Sequence, residues 1–197
     1  MDKDLVDEIN YMIDLLTKSG FFSTEEISEI LEEQFIDENV DFSEFEISQN
    51  DFSNNNFSIL EKTFKKLTEE SIVCVHNCGY DFREGVDDIY ELYVHLINND
   101  YSPSGFCFYT FEDVEQAIEE NVLKITFGDF ERDESNSLKI GESVFRHLAD
   151  ADFEVKWNQS VNEPIEITNF VWDKRFIEDK DYEIEGAYQL FTGVINE

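Results

Sequence analysis

The first fifty residues carry two separate stretches of hydrophobic residues with helical spacing. In the first stretch they recur every three or four positions: Leu5, Val6, Ile9, Met12, Ile13 and Leu16. The second begins at Ser23-Thr24-Glu25-Glu26, a capping box in which serine and glutamate bind the free amides of a helix start. The pattern predicts two N-terminal helices. Residues 37–55, rich in Asp, Asn and Ser, indicate a long connection with one short extended piece over residues 45–47.

The middle of the chain alternates between helical and extended patterns. Helical spacing predicts four further helices, around residues 57–67, 86–97, 114–118 and 138–149. The third of these follows a second pattern of the capping-box kind, Thr110-Phe-Glu-Asp113. Extended patterns predict five strands, the last two as a closing hairpin, over residues 71–76, 105–110, 122–127, 153–157 and 165–170. The tail after residue 176 is hydrophobic enough that part of it is expected to pack as a strand or short helix.

This alternation predicts an α+β fold. We expect one mixed sheet of about five strands, mostly antiparallel at its edges, with helices packed on it and the N-terminal helical pair added to it. The chain then divides into an acidic helical extension (1–53), a core domain (54–176) and an acidic, partly packed tail (177–197). Both tryptophans, Trp157 and Trp172, lie in or after the hairpin and are expected to be core residues.

The net charge restricts the choice of partners. The 197 residues include 47 acidic and 14 basic ones, which gives a formal charge of −33 at pH 7. Residues 1–53 alone hold 16 acidic and 2 basic residues. A chain without a basic patch is not expected to bind nucleic acid or an anionic membrane directly. The expected partner is a basic protein.

The second helix carries the candidate surface for that partner. Its acidic residues face away from its hydrophobic ones, and long-range attraction to a basic protein would speed association: Glu25, Glu26, Glu29, Glu32 and Glu33. An ordinary solvated helix face is the alternative explanation of the same pattern.

The N-terminal sequence MDKDLVDEINYMIDLL predicts a cytoplasmic protein. It carries acids where a secretion signal needs positive charge, and no stretch approaches the ~20 apolar residues that span a bilayer. The three cysteines, an odd number, do not suggest a disulfide framework.

Cys74, His76 and Cys78 form a C-x-H-x-C pattern that is the one candidate for metal binding. On a strand these alternate residues share a face, but zinc takes four ligands in a tetrahedron. Three ligands on one strand converge poorly, and Cys107 would have to supply the fourth. We therefore expect a buried strand with hydrophobic-like cysteines before a turn at Gly79, with no metal and no cofactor.

No sequence motif predicts a catalytic residue. The nucleophile elbow, the phosphate-binding loop and the dinucleotide fingerprint are missing from the sequence. His95 and His147 lie in predicted helices and are interpreted as structural. The acidic stretch from Asp129 to Glu134 lacks the glycine and the final glutamate of a calcium-binding loop. Whether the protein is an enzyme stays open at this point, with absence of catalysis favoured.

Several short segments resemble an uncharacterised bacterial family of small, acidic, cytoplasmic proteins with a domain of unknown function. They are CVHNCGY, GFCFYTFEDVEQAI, LKITFGDF, IGESVFRHL and the pair VKWNQS and IEITNFVWDKRF. The resemblance covers residues 54–176, and GFFSTEEISEIL less closely. Family members often place two cysteines closer together than Cys74 and Cys78, which argues further against a metal. The resemblance implies a fold unit and no reaction.

These observations favour a non-enzymatic protein-binding module with an acidic surface for a basic partner. Immunity proteins, antitoxins and proteins that mimic nucleic-acid charge share this character. The alternative is an enzyme with an unrecognised site made of carboxylates and a divalent cation.

Overall fold

The computed structural model of the chain describes residues 3–38, 40–47 and 55–196. Within them the helices are α1 (Lys3–Ser19), α2 (Thr24–Gln34), α3 (Asn56–Glu69), α4 (Phe82–Asn98), α5 (Phe111–Glu120), α6 (Glu134–Asp150) and α7 (Ile184–Ile195). The strands are β1 (Ile72–Val75), β2 (Gly105–Phe108), β3 (Val122–Gly128), β4 (Glu154–Lys156) and β5 (Ile165–Thr168). The predicted α+β class is confirmed.

The five strands form one mixed sheet in the order β1-β2-β3-β5-β4. β1 and β2 are parallel and place Cys74 beside Cys107, with α4 as the crossover between them. The remaining neighbours are antiparallel, including the predicted hairpin of β4 and β5. Because β1 and β2 are parallel, their carboxyl ends open at the same edge of the sheet.

Helices cover both faces of the sheet. The larger hydrophobic cluster contains side chains of α3, α5 and α6, among them Phe64, Val114 and Val144. The smaller cluster contains side chains of α4 and α7, among them Leu92 and Phe191. β1 and β2 contribute alternate residues to the two clusters, as strand geometry requires, so both of their faces are buried. β3, β4 and β5 contribute only to the larger cluster, and their other face is partly exposed. The packed tail is thus a helix, α7.

Two local predictions have different outcomes. Capping boxes at Ser23 and Thr110 begin α2 and α5, as the sequence predicted. The extended piece over residues 45–47 was a wrong prediction, because these residues belong to no strand. Phe45 instead packs with the side chains of α1 and α2, after a single 3-10 turn over Phe42–Glu44. An isolated extended segment without a neighbouring strand gains little hydrogen bonding, so burial decides its conformation.

The N-terminal helical pair packs against the core. The turn after α1 contains Gly20, whose φ is +69° and where a Cβ atom would lie 2.3 Å from the carbonyl oxygen of Lys174. Only glycine fits so close an approach to another segment. The predicted boundary between residues 53 and 54 lies outside the described residues, and the division into three parts stays a prediction.

None of the helices in the described part of the chain is both long enough and apolar enough to cross a membrane.

Candidate functional site

The C-x-H-x-C pattern is divided in the structure, where Cys78 lies apart from Cys74 and His76. Cys74 is buried in the larger cluster, where its sulfur lies 3.4 Å from that of Cys107. Cys78 belongs to the cluster on the opposite face of the sheet, because β1 ends at Val75. Burial raises the pKa of the Cys78 thiol, so it stays protonated. Among the described residues no group of three or more His, Cys, Asp or Glu side chains is arranged to hold a metal ion.

His76 lies at the carboxyl ends of the parallel strands. Its ring stacks on Phe64 with centroids 4.5 Å apart, and its Nδ1 lies 2.8 Å from the hydroxyl of Tyr109. Burial lowers the pKa of His76 to about 3, and the charges of Lys174 and Lys180 act in the same direction. The ring is therefore neutral, and its Nδ1 shares a hydrogen bond with the hydroxyl of Tyr109, whose pKa burial raises.

His76 lines a cavity of about 300 Å³, here named the lysine cavity, between α3 and the segment that leads into α7. The side chains that matter at this cavity are Ser58, Glu61, Lys62, Lys65, His76 and Lys180. Lys180 forms an ion pair with Glu61, and the hydroxyl of Tyr182 lies beside this pair. No local sequence signal marks this site, because its lysines are dispersed over α3 and the tail.

Lys174 lies behind the cavity wall and is only 2% exposed. Its ammonium group lies over the rings of Phe21 and Tyr182, 4.3 and 4.0 Å from their centroids, and donates to the carbonyl of Gly20. Burial lowers the pKa of Lys174 to about 7, although Glu61 opposes the shift. This lysine joins the N-terminal turn to the core, and its burial makes stability depend on pH.

A second cavity, of about 630 Å³ and here named the N-terminal groove, lies between the helical pair and the core. Its apolar walls are formed by Met12, Leu16, Phe22, Ile30, Tyr80 and Phe111. The rings of Tyr80 and Phe111 are nearly parallel, with centroids 6.1 Å apart. Thus aromatic and aliphatic surface from α1, α2 and the loop before α4 meets in one depression.

The polar end of the N-terminal groove consists of hydrogen-bond acceptors. Asn77 is 6% exposed, and its side-chain oxygen makes no hydrogen bond to any described residue. Its amide nitrogen lies 3.3 Å from a carboxylate oxygen of Glu183 at the rim. Partial burial raises the pKa of both Asp88 and Glu183, and neighbouring acids add to the shift. Lys, Arg and His are missing from the described lining of this groove.

The five predicted partner-binding residues lie together on α2. Ile27 and Leu31 are fully buried, and the acidic residues are exposed on the rest of the helix: Glu25, Glu26, Glu29, Glu32 and Glu33. Glu26 also completes the capping box and is close enough to raise the pKa of Glu183 in the groove. The acidic face therefore continues into the polar end of the N-terminal groove.

The remaining sequence candidates have structural roles. Asp129, at the start of the rejected calcium loop, accepts hydrogen bonds from the backbone of Asp133 and the side chain of Asn136, which order the entry into α6. His147 lies 2.9 Å from Glu70 and helps to join α6 to α3. His95 lies against Tyr188 of α7.

The sequence model of a domain of unknown function, DUF6891, matches residues 2–176, so the chain belongs to that family. No curated protein and no solved structure matches this chain. The match starts before α1 and therefore includes the N-terminal helical pair along with the sheet.

Proposed function

We propose that this protein is a non-enzymatic, cytoplasmic bacterial protein that binds a basic protein partner through the N-terminal groove and the acidic face of α2. The partner would insert a lysine or arginine side chain into the groove. Immunity-like, antitoxin-like or nucleic-acid-mimicking action would all use such an interface. The three cysteines, all free and buried, suit a reducing compartment.

The observation that carries this proposal is the side-chain oxygen of Asn77, which has no partner among the described residues, in a groove that the carboxylates of Asp88 and Glu183 also line. A buried acceptor without a partner is costly, and lysine and arginine side chains are pure donors that would satisfy it. Asp88 and Glu183 would compensate the charge of the inserted group. A donor-rich cation is therefore the ligand that this end of the groove suits best.

The apolar walls fit the same kind of side chain. Lysine and arginine carry long hydrocarbon stems that bury well against apolar surface while the charged end finds polar partners. The stacked rings of Tyr80 and Phe111 offer faces on which a guanidinium or ammonium group is attracted. An inorganic cation would leave these walls without contacts, so an organic cation is favoured.

The acidic face of α2 would act at longer range. Ile30 and Gln34 of this helix line the groove, while its glutamates face solvent. Their charge would raise the association rate with a basic surface and orient it toward the groove, an effect that salt weakens. An enzyme with a carboxylate and divalent-cation site stays a prediction from the sequence.

The test is an NMR titration of the full chain with a short peptide rich in lysine and arginine. We expect saturable shifts at Asn77 and Tyr80. The double variant Asp88→Asn/Glu183→Gln should weaken binding about tenfold or more, because a charged hydrogen bond contributes ~1.5–3 kcal/mol. The matched control, Asp87→Asn/Glu185→Gln, has the same net charge and changes exposed acids outside the groove lining.

Two results would overturn the proposal. The first is no saturable binding of the peptide at low salt. The second is an equal loss of affinity in both double variants, because the peptide would then respond to net charge alone. Reversal of Glu25, Glu29 and Glu32 to lysine should lower mainly the association rate, and an unchanged rate would remove α2 from the interface.

A further inference from the structure

We propose that the lysine cavity binds a small anionic molecule that carries a carboxylate or phosphate group. This site is separate from the N-terminal groove, has the opposite ligand charge and does not rest on the protein-binding proposal. Its position, its charge, its hydrogen-bonding groups and its size each point to such a ligand.

The position is the one where open sheets with parallel strands bind ligands. The cavity lies beyond the carboxyl end of β1, and His76 there meets Tyr109, which follows the parallel strand β2. Ligands of such sheets bind outside the carboxyl ends of the strands. α3 and α7 close the sides of the cavity, so its walls belong to packed elements of the core.

The charge around the cavity is unusual for this chain. Three of only 14 basic residues line it: Lys62, Lys65 and Lys180. Lys62 and Lys65 follow one another at helical spacing on α3 and form no ion pair with any described residue. Two carboxylates also line the cavity, Glu61, which is paired with Lys180, and Asp181, whose side chain accepts from the backbone of Glu183. With no ion pair to the described part of the chain, these two lysines are available to an anion.

The interior adds a buried donor. His76 is 8% exposed, and its Nδ1 is occupied by the hydroxyl of Tyr109. We assign the Tyr109 hydroxyl as the donor of this hydrogen bond, which places the proton of the neutral ring on Nε2. This nitrogen makes no hydrogen bond to any residue that the structure describes. The hydroxyl of Ser58 lies on the same lining. A carboxylate or phosphate oxygen would accept from these groups while the lysines neutralise its charge.

The size limits the ligand to a small molecule. A volume of about 300 Å³ is at the lower end of the range of ligand pockets. Cys74, Ala187 and Leu190 give part of the lining an apolar character, which suits a ligand with a compact hydrocarbon part next to its anionic group. A short-chain or single-ring organic acid, or a small phosphate ester, matches this combination.

The experiment is a pair of NMR and calorimetric titrations of the full chain, with inorganic phosphate and with benzoate as probes. We expect saturable binding of at least one probe, with shifts at Ser58 and at the Nε2–H of His76. Preference for phosphate would identify a phosphate ester as the ligand class, and preference for benzoate would identify a carboxylate.

The decisive variant is Lys62→Gln/Lys65→Gln, which changes two exposed side chains and leaves the core intact. It should weaken binding of the preferred probe about tenfold or more. The control Lys66→Gln/Lys139→Gln removes the same charge from exposed positions outside the cavity lining and should leave the affinity unchanged. Failure of both probes to saturate, or equal weakening in both variants, would overturn the proposal.

Discussion

The indole nitrogen of Trp172 donates a hydrogen bond to the carbonyl oxygen of Ser19 across 3.0 Å, although the two residues are 153 positions apart. Two residues later, Lys174 donates to the carbonyl of Gly20. The segment after β5 therefore holds the turn between α1 and α2 at two successive carbonyls. We expect the N-terminal pair and the sheet to unfold together, because the contacts between them are buried and hydrogen-bonded.

Substitution of Trp172 by phenylalanine is expected to destabilise the protein by about 1–3 kcal/mol. It removes the indole donor and leaves the carbonyl of the buried Ser19 without its partner. Urea unfolding followed by circular dichroism measures the loss. Trp157→Phe is the matched control, because the Ser160 carbonyl that Trp157 binds is partly exposed and water can replace the indole. Equal losses of stability in the two variants would contradict a stabilising role of the hydrogen bond from Trp172 to Ser19.

Lys174 is expected to make the protein more stable as the pH rises from about 7 to about 9. Its pKa in the folded protein, about 7, is below that of the unfolded chain, so in this range the unfolded state binds more protons and a rise in pH favours folding. The gain is at most about 2 kcal/mol. The titratable groups around Lys174 are Glu61, His76, Lys180 and Tyr182.

Lys174→Met isolates this effect from other titrations. Ionisation of cysteines in the unfolded chain acts in the opposite direction, since burial keeps Cys78 protonated in the fold. We therefore compare urea unfolding of the wild type and the variant at both pH values. The free energy of unfolding of the wild type should increase relative to that of the variant as the pH rises. Parallel pH profiles of the two proteins would contradict the assignment of this effect to Lys174.

All three cysteines are expected to be unreactive toward a thiol reagent in the native protein. Each is buried, and burial raises the pKa of Cys78 and of Cys107, so little of the nucleophilic thiolate forms. Labelling should occur at the rate of unfolding and become complete in urea. Rapid modification of any one cysteine under native conditions would show that its surroundings open locally.

Glu70→Gln is expected to cost less than about 1 kcal/mol at neutral pH, because the contacts that it loses are near the surface. Glu70 accepts hydrogen bonds from a cluster on α6: Ser143, Arg146 and His147. Partial burial opposes ionisation, yet these bonds prevail and lower the pKa of Glu70 from its ordinary 4.5 to about 2.

The contribution of the Glu70 carboxylate to stability depends on pH. The stabilisation is present above about pH 4.5 and is lost as the pH falls toward 2, where folded Glu70 also becomes protonated. Acid unfolding of the variant should therefore begin at higher pH than that of the wild type. Glu69→Gln, at the exposed neighbouring position, should leave the acid transition unchanged.

Sequence periodicity predicted the elements well wherever local signals agreed. Ser23 and Thr110 each begin a helix that their capping boxes indicated, and the alternating pattern around residues 165–170 became β5. The prediction over residues 45–47 was wrong because Phe45 packs, partly buried, against the helical pair and belongs to no strand. Hydrophobic spacing reports burial, and a short segment can be buried without being a strand.

The surroundings of the candidate site residues could not be predicted from the local sequence. The C-x-H-x-C pattern made His76 a candidate metal ligand because of its spacing to two cysteines. In the structure its ring stacks on Phe64 and its Nδ1 lies beside the hydroxyl of Tyr109. Asp88 and Glu183, at the polar end of the N-terminal groove, are 95 positions apart in sequence. Nothing local distinguishes these two from the other acidic residues of the chain.

The sequence by itself determined the helices and strands, their α+β class, and the excess of negative charge. These follow from periodicity, capping and composition, which act over a few residues or over the whole chain. Only the tertiary structure decided that lysines from α3 and the tail line one cavity and that the oxygen of Asn77 has no partner among residues 3–38, 40–47 and 55–196. Such features depend on distances between segments remote in sequence, which the packing of the whole core sets.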